Sequence, residues 1–333
     1  MLWRITLIPF SVLAGTGNKA VSKLNSSHSH LTRARSGTSW ALSVAMPPIT
    51  LTPRDAAFKQ ALIDAKYYPH DHGCSNNNRP LPNNLDEIHE RLHERRPSLS
   101  QSRFTDDDFQ HFKDLNGSAL TQAHAMSRIF PIIRGREAVA SGQGYLFGNM
   151  DPLAENISRA IPGYFNGSYP ENVRGEVRAD LKMYIVPSSN DSRPLLPNFF
   201  SEVGTNPSMM ERRITQVLGY GARSMYKIQS YRQGQSVFDG NAYTIGSTYS
   251  YGKNAGILRL YTMHPTGPAG PNGEPKYWTN EIMTFAMTKD ADAFRNGAAA
   301  FRNAQDWAKE QRDTFIELAN ERVTTGEEVG EEY

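Results

Sequence analysis

A single cysteine, Cys74, stands among 333 residues, which excludes an internal disulfide framework and leaves the core to hold by packing alone. No Asp or Glu occurs before Asp55, and no apolar run has the length and uniformity of a membrane span. A Gly-rich phosphate loop, a Gly-x-Ser-x-Gly elbow and the kinase motif set are all missing, which removes those routes to phosphoryl and acyl transfer. Collagen and coiled-coil repeats are absent too. What remains is a chain 38% hydrophobic, enough to bury the core of one large domain or one and a half. Its 36 basic and 34 acidic residues nearly cancel, so any basic surface must be local.

The first 45 residues read as an appendage, with Arg4, Lys19, Lys23, Arg33 and Arg35 among serines and threonines. That is mitochondrial-presequence composition; Ile5 to Ala14 would also serve as a weak secretory h-region, and translation from Met46 would make the whole stretch dispensable. Asn-x-Ser sequons at Asn25, Asn116, Asn156, Asn166 and Asn190 fit secretion but arise often in a Ser- and Asn-rich chain. An intracellular location is the expectation, with a mitochondrial or secretory leader as the alternative.

Residues 46–120 are expected to form a helical wrap. Thr52-Pro53-Arg54-Asp55 places a hydroxyl at the N-cap, proline at the first helical position and a carboxylate at the third, ahead of Phe58, Leu62 and Ala65. Asn84 with Glu87 predicts a second helix burying Ile88 and Leu92, and Thr105 with Asp108 a third burying Phe109 and Phe112. The Pro- and Asn-rich stretches 67–83 and 97–102 cannot continue a helix between them.

Residues 121–323 read as a mixed α/β unit, and 324–333 as an acidic tail. Strands are predicted over Met183–Val186, Asn198–Val203, Ala242–Tyr251, Gly256–His264 and Tyr277–Met287, with a hairpin turn at Gly252-Lys253-Asn254-Ala255 and a loop over Pro265–Pro275. A helix from Met209 to about Tyr226 is expected to start with a Ser208–Glu211 capping box, and a last helix to run from Asp290 to about Arg322.

An apolar strand that delivers Glu202 at its end, followed by a helix with Gln216 and Tyr220 one turn apart, is how metal-dependent nucleases assemble a site. The lysine such a site needs is not there. A helix packing one face on the sheet is the plainer reading of Gln216. Arg212, Arg213 and Arg223, with Lys227, Tyr226 and Tyr231 nearby, suit a basic and aromatic strip for nucleic acid or, more plainly, a charged helix surface. His70-Asp71-His72 with Cys74 has transition-metal ligand types but needs distant partners to close a shell. His89 and His93 share a helix face among Glu90, Arg91, Glu94 and Arg95, a pattern typical of a solvated, ion-paired surface.

The set Tyr68-Pro69-His70, Arg96-Pro97-Ser98-Leu99-Ser100, Ile185-Val186-Pro187-Ser188, Pro197-Asn198-Phe199-Phe200, Gly221-Ala222-Arg223, Asn241-Ala242-Tyr243-Thr244 and Ala308-Lys309-Glu310-Gln311-Arg312 closely resembles an uncharacterised fungal family, a domain of unknown function, from about Thr52 to Arg322. That family in turn resembles the PD-(D/E)XK nuclease-like superfamily. The resemblance implies an α/β (α+β), restriction-endonuclease-like fold, a small mixed sheet flanked by helices. It also implies Mg²⁺ held by an Asp and an Asp or Glu on adjacent strands, with a lysine two residues after the second carboxylate. Related sequences continue as Glu-x-Lys-Gly where this chain has Glu202-Val203-Gly204, and Pro162-Gly163 stands where a Pro-Asp pair is expected. Asp180 is the candidate second carboxylate. Two readings follow: a catalytically degenerate interaction or nucleic-acid-binding module, or an active Mg²⁺-dependent DNA nuclease using Glu202, Asp180 and Gln216.

Overall fold

In the computed structural model, which describes residues 50–73, 79–136, 139–190, 192–268 and 273–330, the organising element is β4 (Leu195–Gly204), buried from end to end. The expected leader and Cys74 lie outside the described residues. Side chains alternate along a strand, so β4 sends Phe199 and Val203 into one apolar cluster and Phe200 into another on the opposite face. A strand with both faces apolar requires cover on both.

Seven strands lie in one sheet, ordered β1 (Tyr67–Tyr68), β7 (Lys276–Ala286), β6 (Ile257–Thr266), β5 (Thr244–Ser250), β4, β3 (Tyr164–Ser168), β2 (Ser141–Gly142). β4 and β5 are parallel, as are β1 and β7, while the other neighbours run antiparallel, so the sheet is mixed. A parallel pair needs a crossover, and α8 (Pro207–Gln229) supplies it. Ile214, Val217 and Leu218 of α8 pack with Phe200, Tyr261 and Met263 on one face. Gly221 lets the helix settle close, because a Cβ there would stand 2.6 Å from the Phe200 ring and 2.7 Å from the Thr244 methyl.

The other face is covered by α9 (Ala291–Gly330), through Phe294, Ala298 and Phe301 against Phe199, Val203, Ile245 and Leu258. The N-terminal helices divide between the two sides: α1 (Phe58–Asp64) joins the α8 cluster, α2 (Leu85–His93) and α3 (Asp106–Ser118) the α9 cluster. A short α4 (Gln122–His124) runs through a π turn (Ala125–Ile129) into α5 (Phe130–Arg134), also on the α9 side. α6 (Gly175–Asp180) and α7 (Lys182–Ile185) pack beyond the sheet, with Met225 and Ile228 of α8 and Phe315 and Ile316 of α9. Among the described residues no helix is long and apolar enough to cross a membrane.

Several local expectations are corrected. Met183–Val186 is a turn of helix, α7, since four residues with Ile185 buried and Met183 exposed satisfy a helical turn as well as a strand. α8 begins earlier than Met209, and its cap is Asn206, whose Oδ1 accepts the Met209 N–H at 3.0 Å ahead of Pro207, in place of a Ser208–Glu211 box. Asn84 precedes α2 but spends its amide on the backbone N–H and C=O of Ala242, both at 2.9 Å. Thr52 and Asp55 do close a turn, with the helix starting after it at Phe58. α9 runs on to Gly330, through most of the stretch expected as a tail.

Candidate functional site

Glu202 sits two residues from the end of β4, where the chain turns through Gly204–Asn206 and folds α8 back over the strand. That reversal brings Arg213, in the second turn of the helix, above the carboxylate. Arg213 Nε donates to Glu202 Oε2 at 2.6 Å, and its terminal nitrogen donates to the Ile161 carbonyl at 2.9 Å. From the neighbouring strand side, the Gly163 N–H donates to Glu202 Oε1 at 2.9 Å. Glu202 is 1% exposed. Burial pushes its carboxyl above the usual range, with the Arg213 charge and the two hydrogen bonds pulling the other way.

Beside this pair lies a cavity of about 280 Å³, bordered by Thr52, Ser158, Ile161 and Gln216 together with Glu202 and Arg213. Gln216 is therefore brought to Glu202, though its amide donates to the Ser158 carbonyl at 2.5 Å and pins the 150s segment to α8. Tyr220, one turn on, is fully buried and meets Phe147 edge-on, with ring centroids 5.8 Å apart.

Asp180 is not brought to the site. It ends α6 beyond the sheet, accepts from the Tyr231 hydroxyl at 2.7 Å and lies 3.9 Å from Arg232. The strand expected to follow it is helical, so nothing carries its carboxylate to the sheet. The arginines of the expected nucleic-acid strip are engaged within the fold: Arg212 donates to the Pro53 carbonyl at 2.6 Å, Arg213 serves Glu202, and Arg223 bonds the carbonyls of Pro152 and Asp151. Arg212 and Arg223 thereby clamp loop backbone onto α8.

The donor set does not fit Mg²⁺. A hard divalent cation takes carboxylate oxygens, yet both oxygens of Glu202 accept from N–H donors and, among the described residues, no second carboxylate lines the cavity. Among the described residues, no group of three or more His, Cys, Asp or Glu is placed to hold a metal. Asp71 is ion-paired with Lys59, His70 lies 3.7 Å from Glu281, and His72 stacks on Tyr68. His93 bonds the His89 carbonyl at 2.7 Å on a helix face that also carries the Arg91–Glu94 pair.

Arg213 as the partner of Glu202 was the role that sequence reasoning missed. The signal available was the short Gly204–Asn206 connection, which folds the helix's second turn back over the strand end. Several of the motifs that carry the sequence resemblance are joints of the fold. Asn198 donates to the carbonyls of Tyr243 and Ala308 at 3.0 and 2.6 Å and accepts from buried Arg312 at 2.6 Å, so three of the quoted sequence blocks meet at one point. Arg96 bonds Asn303 and Asp306 on α9 in the same way.

Comparison with known proteins finds no family model, no curated protein and no solved structure that matches this chain.

Proposed function

We propose that this chain is a catalytically degenerate, nuclease-like protein that acts by binding and does not cleave DNA. The observation that carries the reading is the closure of the Glu202 carboxylate by Arg213 and the Gly163 N–H. In the superfamily that the sequence resembles, a second carboxylate from the adjacent strand stands opposite the first. Here that position is Gly163, immediately before β3, and a Cβ on it would lie 2.9 Å from the Ser201 carbonyl and 3.1 Å from Glu202 Oε2. A donor replaces an acceptor, and an arginine fixed to the carboxylate replaces a lysine free to assist an attacking water. The mixed sheet flanked by helices agrees with the same resemblance.

The test is cleavage of labelled single- and double-stranded DNA by the purified protein in Mg²⁺ or Mn²⁺. The expected result is no product above a mock purification. Metal-dependent cleavage that disappears in Glu202→Ala would overturn the reading and establish the active nuclease in its place.

A further inference from the structure

On the α9 face of the sheet, opposite to Glu202, lies an open cleft of about 1000 Å³ between α3, the π turn and α5, and α9. Five guanidiniums border it, from Arg103, Arg128, Arg134, Arg136 and Arg302, together with His111. In a chain with balanced charge this convergence is unusual, because like charges in one cleft repel and nothing in folding demands it. Elsewhere arginines meet acids, as in Arg91 with Glu310, Arg96 with Asp306 and Arg295 with Asp292. Arg103, Arg128 and Arg136 make no ion pair among the described residues. Among the described residues the one carboxylate bordering the cleft is Asp108, and it is occupied by the Thr105 N–H and hydroxyl at 2.8 and 2.9 Å.

Two of the cations are preorganised. Arg302, 9% exposed, is fixed by the carbonyls of Ile132 and Ile133 at 2.8 and 3.0 Å. Arg134 lies over the Tyr164 ring at 5.2 Å, and its Nε is buried without a hydrogen-bond partner. The remaining three stand exposed at the rim. Fixed guanidiniums inside and exposed ones at the rim suit an anion that protrudes and carries several acceptor oxygens. A phosphomonoester does so, with about two charges and three acceptor oxygens on one group. A phosphodiester strand offers one charge per link, and the aromatic ring bordering the cleft, Phe104, is buried and stacked on Phe294, leaving no platform for bases.

The geometry points to this cleft as a binding site for a phosphomonoester dianion, borne by a phosphorylated segment of a partner protein or by a small phosphorylated metabolite. The site lies apart from Glu202, so it stands or falls separately from the degenerate-nuclease reading.

The experiment is calorimetric titration of the full chain with inorganic phosphate, pyrophosphate, a phosphoserine peptide and its unphosphorylated twin, and a mixed-sequence oligonucleotide. It is repeated on Arg103→Ser/Arg128→Ser/Arg136→Ser and on a charge-matched control, Lys182→Ser/Lys253→Ser/Lys289→Ser. These positions are exposed, so the fold should survive in both, as melting temperatures would verify. Expected is binding of the phosphorylated probes, weakened at least about tenfold in the arginine variant and unchanged in the control, for the loss of three charge-assisted contacts. Binding of the phosphopeptide alone identifies a protein partner, and binding of the free phosphates as well identifies a small ligand. The proposal is overturned if no phosphorylated probe binds, if the arginine variant binds as well as wild type, if the lysine control loses as much, or if the oligonucleotide alone binds.

Discussion

Glu202 shows how much a single residue's meaning depends on its neighbours. In sequence it is a carboxylate at a strand end, the commonest way to present a metal ligand. In the fold it is buried under an arginine, and a carboxylate closed by two N–H donors is a structural anchor. His264 is a second case in which burial sets the chemistry. It is 1% exposed on β6, Asn280 Nδ2 lies 3.4 Å from its Nδ1, and burial, reinforced by the charge of Arg79, lowers it to about 4. A group lowered on folding contributes stability that is complete above its unfolded value of 6.5 and is lost as the pH falls toward 4. His264→Gln should flatten that part of the curve. Between pH 6.5 and 4, urea unfolding should show wild type losing about 3 kcal/mol more than the variant. Parallel curves for the two proteins would mean that His264 titrates alike in the folded and unfolded chain.

At the scale of elements, the long strands and helices were more legible than the caps that start them. Thr105 and Asp108 form the reciprocal box that their spacing announces, since both halves of that motif are local. Asn84 has the same chemistry, but Ala242, distant in sequence, outcompetes the helix for its amide. Met183–Val186 failed because four residues do not reveal a period. The joint between elements that matters most is Asn198, which ties β4 to the β5 approach at Tyr243 and to α9 at Ala308 and Arg312. Burial pulls the Arg312 guanidinium down to about 10, so it remains a cation at neutral pH and needs its partner. Asn198→Ala would remove the hydrogen-bond acceptor of that guanidinium, leaving it Asp313 at 3.8 Å, and a donor to two carbonyls, at a cost of about 1.5–3 kcal/mol for the bond to a charged group. Chemical denaturation should show the loss; a change under about 0.5 kcal/mol, the scale of ordinary surface substitutions, would mean the joint relaxes around the gap.

For the whole molecule, the order of strand, crossover helix, hairpin and final strand was readable, because β4 to β7 carry strong apolar and β-branched patterns and α8 and α9 a sustained helical one. The sheet's edges were not. β1 and β2 are two residues each, β3 reads Tyr-Phe-Asn-Gly-Ser without alternation, and their pairing is set by long-range contact alone. The candidate site was half legible for the same reason. Glu202 and Gln216 lie on the elements that pattern reveals, whereas Gly163 and four of the five cleft arginines come from segments whose placement only the assembled fold decides. Thermal melting of wild type and Glu202→Gln across a Mn²⁺ titration tests most directly whether that carboxylate serves the fold or a metal. The account predicts that the variant melts below wild type, since Arg213 loses the carboxylate it bonds, and that Mn²⁺ moves neither protein. A rise in the wild-type melting temperature with Mn²⁺ that Glu202→Gln abolishes would contradict it.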